Sequence, residues 1–172
     1  GAGTDTIKYT GDETVADADF TLVTGVEKIT ANANVLISGT LGDKAAAAGI
    51  TTVVFTDTGG NDSIAIDADG PTALSFTLDS DASNANSITA AATYAGTITV
   101  TTLGTNFDAD GNAVSTITAG AGTADTLNIT ADASTIAAAD MGNVTNIETI
   151  NITGTTAAQS LALNNANATY TS

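Results

Sequence analysis

A long sequence pattern occurs twice in this chain, over about residues 1–31 and 120–153. Both copies open with Gly-Ala-Gly-Thr and then place an aspartate, Asp5 or Asp125, before a threonine and an aliphatic residue. Both close on Val-Thr-x-(Val/Ile)-Glu-x-Ile, which contains Glu27 in the first copy and Glu148 in the second. A unit that joins glycine-rich turns to β-branched segments buries its apolar face only against a neighbouring unit. The repeat therefore predicts a stacked β architecture.

Short runs of Val, Ile, Thr and Leu alternate with Gly, Asn, Asp and Ser clusters along the whole chain, which is the pattern of strands and turns. Such spacing fits a sandwich, a barrel or a solenoid, and the repeat favours an all-β, parallel β-solenoid of the β-helix kind. We predict strands at Thr6–Tyr9, Lys28–Ala31, Val35–Ser38, Thr52–Phe55, Ser63–Ile66, Leu74–Leu78, Ser87–Thr89, Thr97–Thr101, Ser115–Thr118, Thr126–Thr130, Thr149–Ile152 and Ser160–Leu163.

Three alanine-rich segments predict short helical turns. Asp12–Asp19 and Ala131–Asp140 occupy the same place in the two repeats, and Asp43–Ala48 is followed by a glycine that ends it. Thr40 or Asp43 is the expected cap of that last helix.

No linker stands out by composition, so we expect residues 1–172 to form one repetitive domain, and we expect the chain to be a piece of a longer surface protein.

The charge balance excludes several classes of partner. Nineteen acidic residues face three lysines, which gives a formal net charge of −16. Nucleic acid and anionic membrane surfaces both require basic groups, so neither is an expected partner. No stretch of about 18 apolar residues is present, so no membrane-spanning helix is expected. Apolar residues make up 42% of the chain, which favours a folded protein whose self-repulsion is neutralised by divalent cations.

The absence of His, Cys, Trp and Arg argues against an enzyme. A β-helix enzyme acting on acidic polysaccharide needs basic groups to bind and deprotonate its substrate, and this chain offers only Lys8, Lys28 and Lys44. A pair of carboxylates could serve a glycosidase, but few aromatic residues are available to stack on a sugar. No disulfide or thiolate metal site is possible without cysteine.

Three Gly-Asp turns, at about residues 1–7, 56–64 and 120–127, are candidate Ca²⁺ sites. Glycine permits a bend that turns carbonyl groups inward beside an aspartate, and Ca²⁺ prefers six to eight such oxygen ligands. The candidate ligands are Asp5 in the first turn, Asp57 and Asp62 in the second, and Asp125 in the third. The alternative for each is a β-turn that binds no ion.

Several other acidic groups are candidate Ca²⁺ ligands of the same kind. Asp108, Asp110 and Asn112 alternate along the chain as in many Ca²⁺ loops, or they form the turn of a hairpin between Thr97–Leu103 and Ser115–Thr118. Two further acidic turns, at 67–70 and 79–84, are expected to be solvated. An aspartate and a glutamate recur eight residues apart, as Asp19 with Glu27 and as Asp140 with Glu148. These pairs predict either a shared cation site or carboxylates that accept backbone hydrogen bonds, and we favour the hydrogen bonds.

With these turns, the chain resembles the RTX-type calcium-binding β-solenoid surface proteins of Gram-negative bacteria, and in particular their S-layer members. The resemblance is tight over residues 1–30, 56–66 and 120–153. It implies an extracellular lattice protein that is exported by a type I system and assembles with several Ca²⁺ ions. No turn here has the full G-G-x-G-x-D pattern and the copies are not in tandem, so isolated ion sites are expected rather than a regular ladder.

The expected function is therefore structural, as a component of a calcium-dependent surface layer or filament on the bacterial cell surface. The expected partners are copies of the same chain, with cell-surface polysaccharide bound through regions outside it. A calcium-dependent adhesin module is the first alternative. An ice-binding solenoid is another, because Thr97–Thr101 and Thr116–Thr118 present threonine at alternate positions, although this array does not recur at a fixed spacing in the sequence.

Overall fold

The structure is a computed structural model, which describes residues 1–56, 60–79, 81, 84–107, 114–130 and 140–153, with Asp140 described by its backbone alone. The strand predicted at Ser160–Leu163 and most of the helical turn predicted at Ala131–Asp140 lie outside these residues. None of the helices in the described ranges is long and apolar enough to cross a membrane.

The described residues form mainly short β-strands. The strands are β1 (Thr6–Tyr9), β2 (Glu13–Val15), β3 (Lys28–Ala31), β4 (Ile37–Leu41), β5 (Thr52–Val54), β6 (Ser63–Ile66), β7 (Ala73–Thr77), β8 (Ser87–Ala90), β9 (Thr97–Leu103), β10 (Thr116–Thr118), β11 (Thr126–Thr130), β12 (Val144–Thr145) and β13 (Thr149–Thr153). One α-helix, α1 (Asp43–Ala48), and three 3₁₀ turns at Asp17–Phe20, Gly104–Asn106 and Asp140–Asn143 complete the described elements.

Consecutive strands alternate between two parallel sheets. The first sheet, sheet A, has the order β1-β3-β5-β7-β9-β11-β13, and the second, sheet B, has the order β12-β10-β8-β6-β4-β2. Each strand therefore pairs with the strand two places further along the chain. The prediction of a mostly β chain with parallel strands is confirmed. We call a strand of one sheet together with the strand of the other sheet that follows it a circuit. Hydrogen bonds between neighbouring circuits join residues 22 to 30 positions apart, so the length of the connecting loops varies.

The inward positions of both sheets contribute to one hydrophobic cluster. Alternation along β9 illustrates why these sequences form strands: Ile98 and Val100 are fully buried while Thr97, Thr99 and Thr101 are not. The rings of Phe55 and Phe76, from neighbouring circuits, lie 6.2 Å apart in a tilted arrangement. Burying each apolar face against the next circuit is what stabilises the stack, as expected for repeats that cannot bury a face alone.

Two predictions of local structure were wrong. The segment Asp12–Asp19 is not one helical turn, because Glu13–Val15 pairs with Ile37–Gly39 as an edge strand and only Asp17–Phe20 is helical. The proposed hairpin between Thr97–Leu103 and Ser115–Thr118 does not form, since β9 and β10 lie in different sheets. The short strand β12 was also not predicted, because two residues carry no periodic signal.

Helix α1 was predicted correctly, but its cap comes from another circuit. Gly49 ends the helix in the left-handed conformation at φ 102°. The cap position is Gly42, which has no side chain to offer. Instead, Asp17 Oδ1 accepts hydrogen bonds from the backbone N–H groups of Gly42 (2.7 Å) and Ala45 (2.9 Å), and Asp17 Oδ2 accepts from Lys44 (3.1 Å). A carboxylate here also complements the positive end of the helix.

Replacing Asp17 with alanine should lower the free energy of unfolding by about 1–2 kcal/mol, the usual cost of losing a helix cap. Burial raises the pKa of Asp17, but the hydrogen bonds from Ala45, Gly42 and Lys44 lower it more, so the net shift is downward. The stabilisation is therefore present above the ordinary pKa of 3.8 and is lost as the pH falls through the lowered value. Urea denaturation at several pH values measures both effects.

Asp43→Ala is the comparison variant, because the exposed ion pair of Asp43 with Lys44 contributes little. The Asp43 side chain also hydrogen-bonds Asp17, so we expect a smaller loss than in Asp17→Ala rather than none. Equal destabilisation by the two variants would contradict the capping role of Asp17.

Candidate cation-binding turns

The two copies of the repeat build the same hydrogen-bonded turn. The Asp5 N–H donates to Glu27 Oε2 at 2.8 Å, and the Asp125 N–H donates to Glu148 Oε2 at 2.8 Å. In return, the carbonyl oxygen of each aspartate accepts the N–H of that glutamate, at 3.1 Å from Glu27 and 3.2 Å from Glu148. Each glutamate thus ties its strand to the turn of the preceding circuit. Both glutamates therefore accept backbone hydrogen bonds, as we favoured from the sequence. Their partners are Asp5 and Asp125 instead of the aspartates eight residues before them.

Asp19 does not reach Glu27 in the described contacts. Its Oδ2 accepts the N–H of Ala16 at 2.9 Å, so it closes its own 3₁₀ turn. Asp140 begins the corresponding turn, Asp140–Asn143, in the second copy. Asp57, Asp108, Asp110 and Asn112 lie outside the described residues, so the predictions for them stay predictions.

Asp125 is one of two described candidate ligands that are fully buried, the other being Asp62. Its side chain is fully buried, and Oδ1 accepts the N–H of Ile98 at 2.6 Å. Oδ2 is buried and accepts no hydrogen bond from the residues that the structure describes. Burial raises the pKa of Asp125, the hydrogen bond from Ile98 lowers it, and the nearby carboxylate of Glu148 raises it again, with a net upward shift. A cation or a proton at Oδ2 would relieve the free-energy cost of burying this negative charge.

The glycines in the second copy of the repeat pack closely against the preceding circuit. A Cβ atom at Gly122 would lie 2.3 Å from the carbonyl oxygen of Gly96 and 3.1 Å from Asp125 Oδ2. Because both distances are measured from the same point, the two oxygens face the same small space beside Gly122. A Cβ atom at Gly120 would lie 2.3 Å from the carbonyl oxygen of Tyr94. In this copy, the Gly-x-Gly pattern therefore serves close backbone approach.

The first copy of the turn is open by comparison. Asp5 is exposed, and its Oδ2 lies 3.0 Å from the amino group of Gly1. A Cβ atom at Gly3 would meet nothing within 4 Å, although Gly3 has a φ of 123° that favours glycine. The same tetrapeptide is thus fully exposed in one copy, whereas in the other its two glycines pack against the preceding circuit.

Asp62 belongs to a ladder of side-chain oxygens and backbone N–H groups that runs across sheet B. The N–H of Ile37 donates to Asp62 Oδ1 at 2.6 Å, and the N–H of Asp62 donates to Asn86 Oδ1 at 3.0 Å. The N–H of Asn86 then donates to Ser115 Oγ at 3.2 Å. All three side chains are buried, so their polar atoms need hydrogen-bond partners, and the backbone N–H groups of the neighbouring circuits provide them. The signal for this ladder is a short polar residue directly before the strands β6, β8 and β10 of sheet B.

Asp79 was expected in a solvated turn, and that prediction was wrong. Its side chain is 6% exposed. Oδ2 accepts the side-chain amide of Asn86 at 2.7 Å, Oδ1 accepts the N–H of Asp81 at 2.8 Å, and its carbonyl oxygen accepts the side-chain amide of Asn106 at 2.9 Å. Asn106 lies 27 positions along the chain, a proximity that spacing does not reveal, whereas Asn86 lies only seven positions away. Amide donors satisfy this carboxylate without an ion.

Across residues 1–56, 60–79, 81, 84–107, 114–130 and 140–153, no group of three or more His, Cys, Asp or Glu side chains is placed to hold a metal ion. The described candidates instead lie as pairs, Asp5 with Glu27 and Asp125 with Glu148, which backbone carbonyl groups would have to complete. Protein-family models, curated proteins and solved structures gave no match to this chain.

Proposed function

We propose that this chain is a structural unit of an extracellular bacterial surface layer or filament, built as a β-solenoid that Ca²⁺ stabilises and that assembles with copies of itself. The solenoid is supported by the strand order, in which successive strands alternate between two parallel sheets around one hydrophobic cluster. The surface role rests on the resemblance of the Gly-Asp turns and on the strong acidity of the chain.

The observation that carries the calcium proposal is the buried Oδ2 of Asp125. An isolated buried carboxylate is costly unless a proton or a cation compensates it. Other oxygen atoms lie nearby: the carbonyl oxygen of Gly96, on the far side of Gly122, and the carboxylate of Glu148, which accepts the Asp125 N–H and whose charge raises the pKa of Asp125. An all-oxygen set of this kind suits Ca²⁺ rather than a transition metal. The residues present therefore fit a calcium ion at this turn.

The role of these residues is charge neutralisation. At neutral pH the net charge of −16 opposes compact packing of successive circuits. Ca²⁺ would supply the compensating charge at the turn, while Glu148 holds the Asp125 backbone and Ile98 fixes the orientation of the carboxylate through its N–H group. Extracellular sites fill at about 10⁻⁴–10⁻³ M Ca²⁺. Binding to the folded chain alone would couple folding and assembly to Ca²⁺ concentration.

The test is thermal melting and particle size with Ca²⁺, with Mg²⁺ and with a chelator. At 100 times the dissociation constant, Ca²⁺ should stabilise the fold by about 2.7 kcal/mol per site. Light scattering and negative-stain electron microscopy should show ordered assemblies with Ca²⁺ and dispersed particles after chelation. Melting and particle size that are the same in all three solutions would contradict the proposal, and calcium-dependent melting without assembly would contradict the surface-layer role alone.

A further inference from the structure

The outward positions of sheet B form two straight columns of small hydroxyl residues. The pairing register places Thr14, Ser38, Ser63, Ser87 and Thr116 side by side in the first column. It places Thr40, Ala65, Thr89, Thr118 and Thr145 side by side in the second. We call these two columns the hydroxyl face. Every position is serine or threonine except Ala65.

The hydroxyl face is exposed and supported by a rigid layer beneath it. Its side chains are exposed or half-buried, whereas the residues between the two columns, such as Ile64, Ile88 and Ile117, are at most 1% exposed. Neighbouring hydroxyls approach one another both across and along strands: Thr14 Oγ1 lies 3.3 Å from Ser38 Oγ, and Ser87 Oγ lies 3.4 Å from Thr89 Oγ1. β-Branched threonines have few side-chain rotamers, so the positions of their hydroxyls are largely fixed.

No position of the hydroxyl face is charged, although the chain has a net charge of −16. Glu13, on the edge strand β2, stands in register with the buried Ile37 and so belongs to the inward set. Sheet A differs, because Lys8 and Lys28 lie among its outward residues. Sheet A also carries a cavity of 310 Å³ over Thr52, Ser75 and Thr99. Sheet B is therefore the more uniform of the two surfaces.

The size of the hydroxyl face bears on what it can bind. Six strands about 4.8 Å apart, each with about four residues of 3.3 Å, cover on the order of 400 Å². A stable protein interface needs about 800 Å² from each partner, with aromatic and arginine residues at its centre. This face has neither the area nor those residues. A crystalline surface, which repeats in two dimensions, could instead match the regular spacing of the hydroxyl face.

We propose that the hydroxyl face binds ice. Its columns repeat every 4.8 Å or so across the strands and every 6.6 Å or so along them. The spacing across the strands is close to the repeat of water molecules along the shorter axis of hexagonal ice. Each hydroxyl donates one hydrogen bond and accepts others, while the threonine methyl groups and Ala65 leave neighbouring water to bond to itself. Water ordered over the face would therefore match the ice lattice. This activity is separate from calcium-dependent assembly.

The test measures inhibition of ice recrystallisation and uptake of the labelled full chain into a growing ice hemisphere, both with Ca²⁺ present. The unmodified chain should inhibit recrystallisation and enter the ice. Thr89→Tyr and Thr118→Tyr place a bulky group at the centre of the face and should reduce both activities about tenfold or more. Thr99→Tyr is the matched control, because Thr99 lies on the outward side of sheet A. Circular dichroism establishes that all the variants fold.

Three outcomes would overturn the proposal. The first is an unmodified, folded chain that is excluded from ice. The second is an equal loss of activity in Thr99→Tyr and in the two variants of the hydroxyl face. The third is retention of the chain on crystalline neutral polysaccharide, or dimerisation through this face, without any effect on ice. Because chelation is not used here, failure of this test leaves the calcium experiment to be judged on its own result.

Discussion

Replacing Gly120 with alanine should destabilise the folded chain by about 3 kcal/mol, the upper end of the range for overpacking. The new Cβ would lie 2.3 Å from the carbonyl oxygen of Tyr94, 2.8 Å from its Cβ and 2.9 Å from the carbonyl oxygen of Ala91. Two of these neighbours are backbone atoms, and Tyr94 is held further by a hydrogen bond from its hydroxyl to the carbonyl oxygen of Pro71. Relief of the clash therefore requires two circuits to move apart.

Gly142→Ala is the matched control, because a Cβ there would meet nothing within 4 Å. Gly142 lies in the 3₁₀ turn Asp140–Asn143, where alanine should change the free energy of unfolding by less than about 1 kcal/mol. Urea denaturation followed by circular dichroism compares the two variants. If Gly120→Ala unfolds at the same urea concentration as Gly142→Ala, the close approach of these circuits is not present in solution.

Replacing Asp125 with asparagine should have the second large effect, which is the loss of the stabilisation that Ca²⁺ gives to the folded chain. Asparagine keeps an acceptor for the N–H of Ile98 but carries no charge. Because the pKa of Asp125 is raised, its ionised form disfavours folding above that pKa. In a chelator at neutral pH, Asp125→Asn should therefore melt higher than the unmodified chain, and added Ca²⁺ should raise its melting temperature much less. Asp125→Ala should instead lose about 1–3 kcal/mol, because the buried Ile98 N–H loses its acceptor.

Asp5→Asn provides the control for this series within the same repeat. Asp5 makes the same backbone contacts with Glu27 but is exposed, so its charge is solvated. We expect a change within about 0.5 kcal/mol, as for most surface substitutions. Calorimetry with and without Ca²⁺ measures the series. A calcium response that survives in Asp125→Asn and disappears in Asp5→Asn would move the site to the first turn and exclude the assignment to Asp125.

The strands were predictable because their residues alternate, and several bounds, such as Thr6–Tyr9 and Ser63–Ile66, agree with the structure. The strand Glu13–Val15 was not, because three residues in an acidic, alanine-rich segment form a strand only through pairing with Ile37–Gly39. The cap on α1 was missed for a similar reason. Asp17 reaches the helix from 25 to 28 positions away, so no local pattern indicates it.

The site was predicted in part. The glutamates Glu27 and Glu148 do accept backbone hydrogen bonds, but from Asp5 and Asp125 rather than through the aspartates eight residues before them. The pairing register between circuits decides this, and loops of unequal length hide the register in the sequence. The same loops hide the regularity of the serine and threonine columns. Insertions lie between strands, so Ser87 and Thr116 align in the sheet despite their unequal spacing along the chain.

The ladder from Ile37 through Asp62 and Asn86 to Ser115 has a mechanical consequence. Each of its bonds joins two successive circuits, so a force applied along the stacking axis acts on all of them, and we expect them to break one at a time. Release of one circuit of 24 residues would lengthen the chain by about 80 Å before the next bond bears the load. We expect a chain built in this way to dissipate work over a series of small ruptures when it is stretched, rather than in one large event.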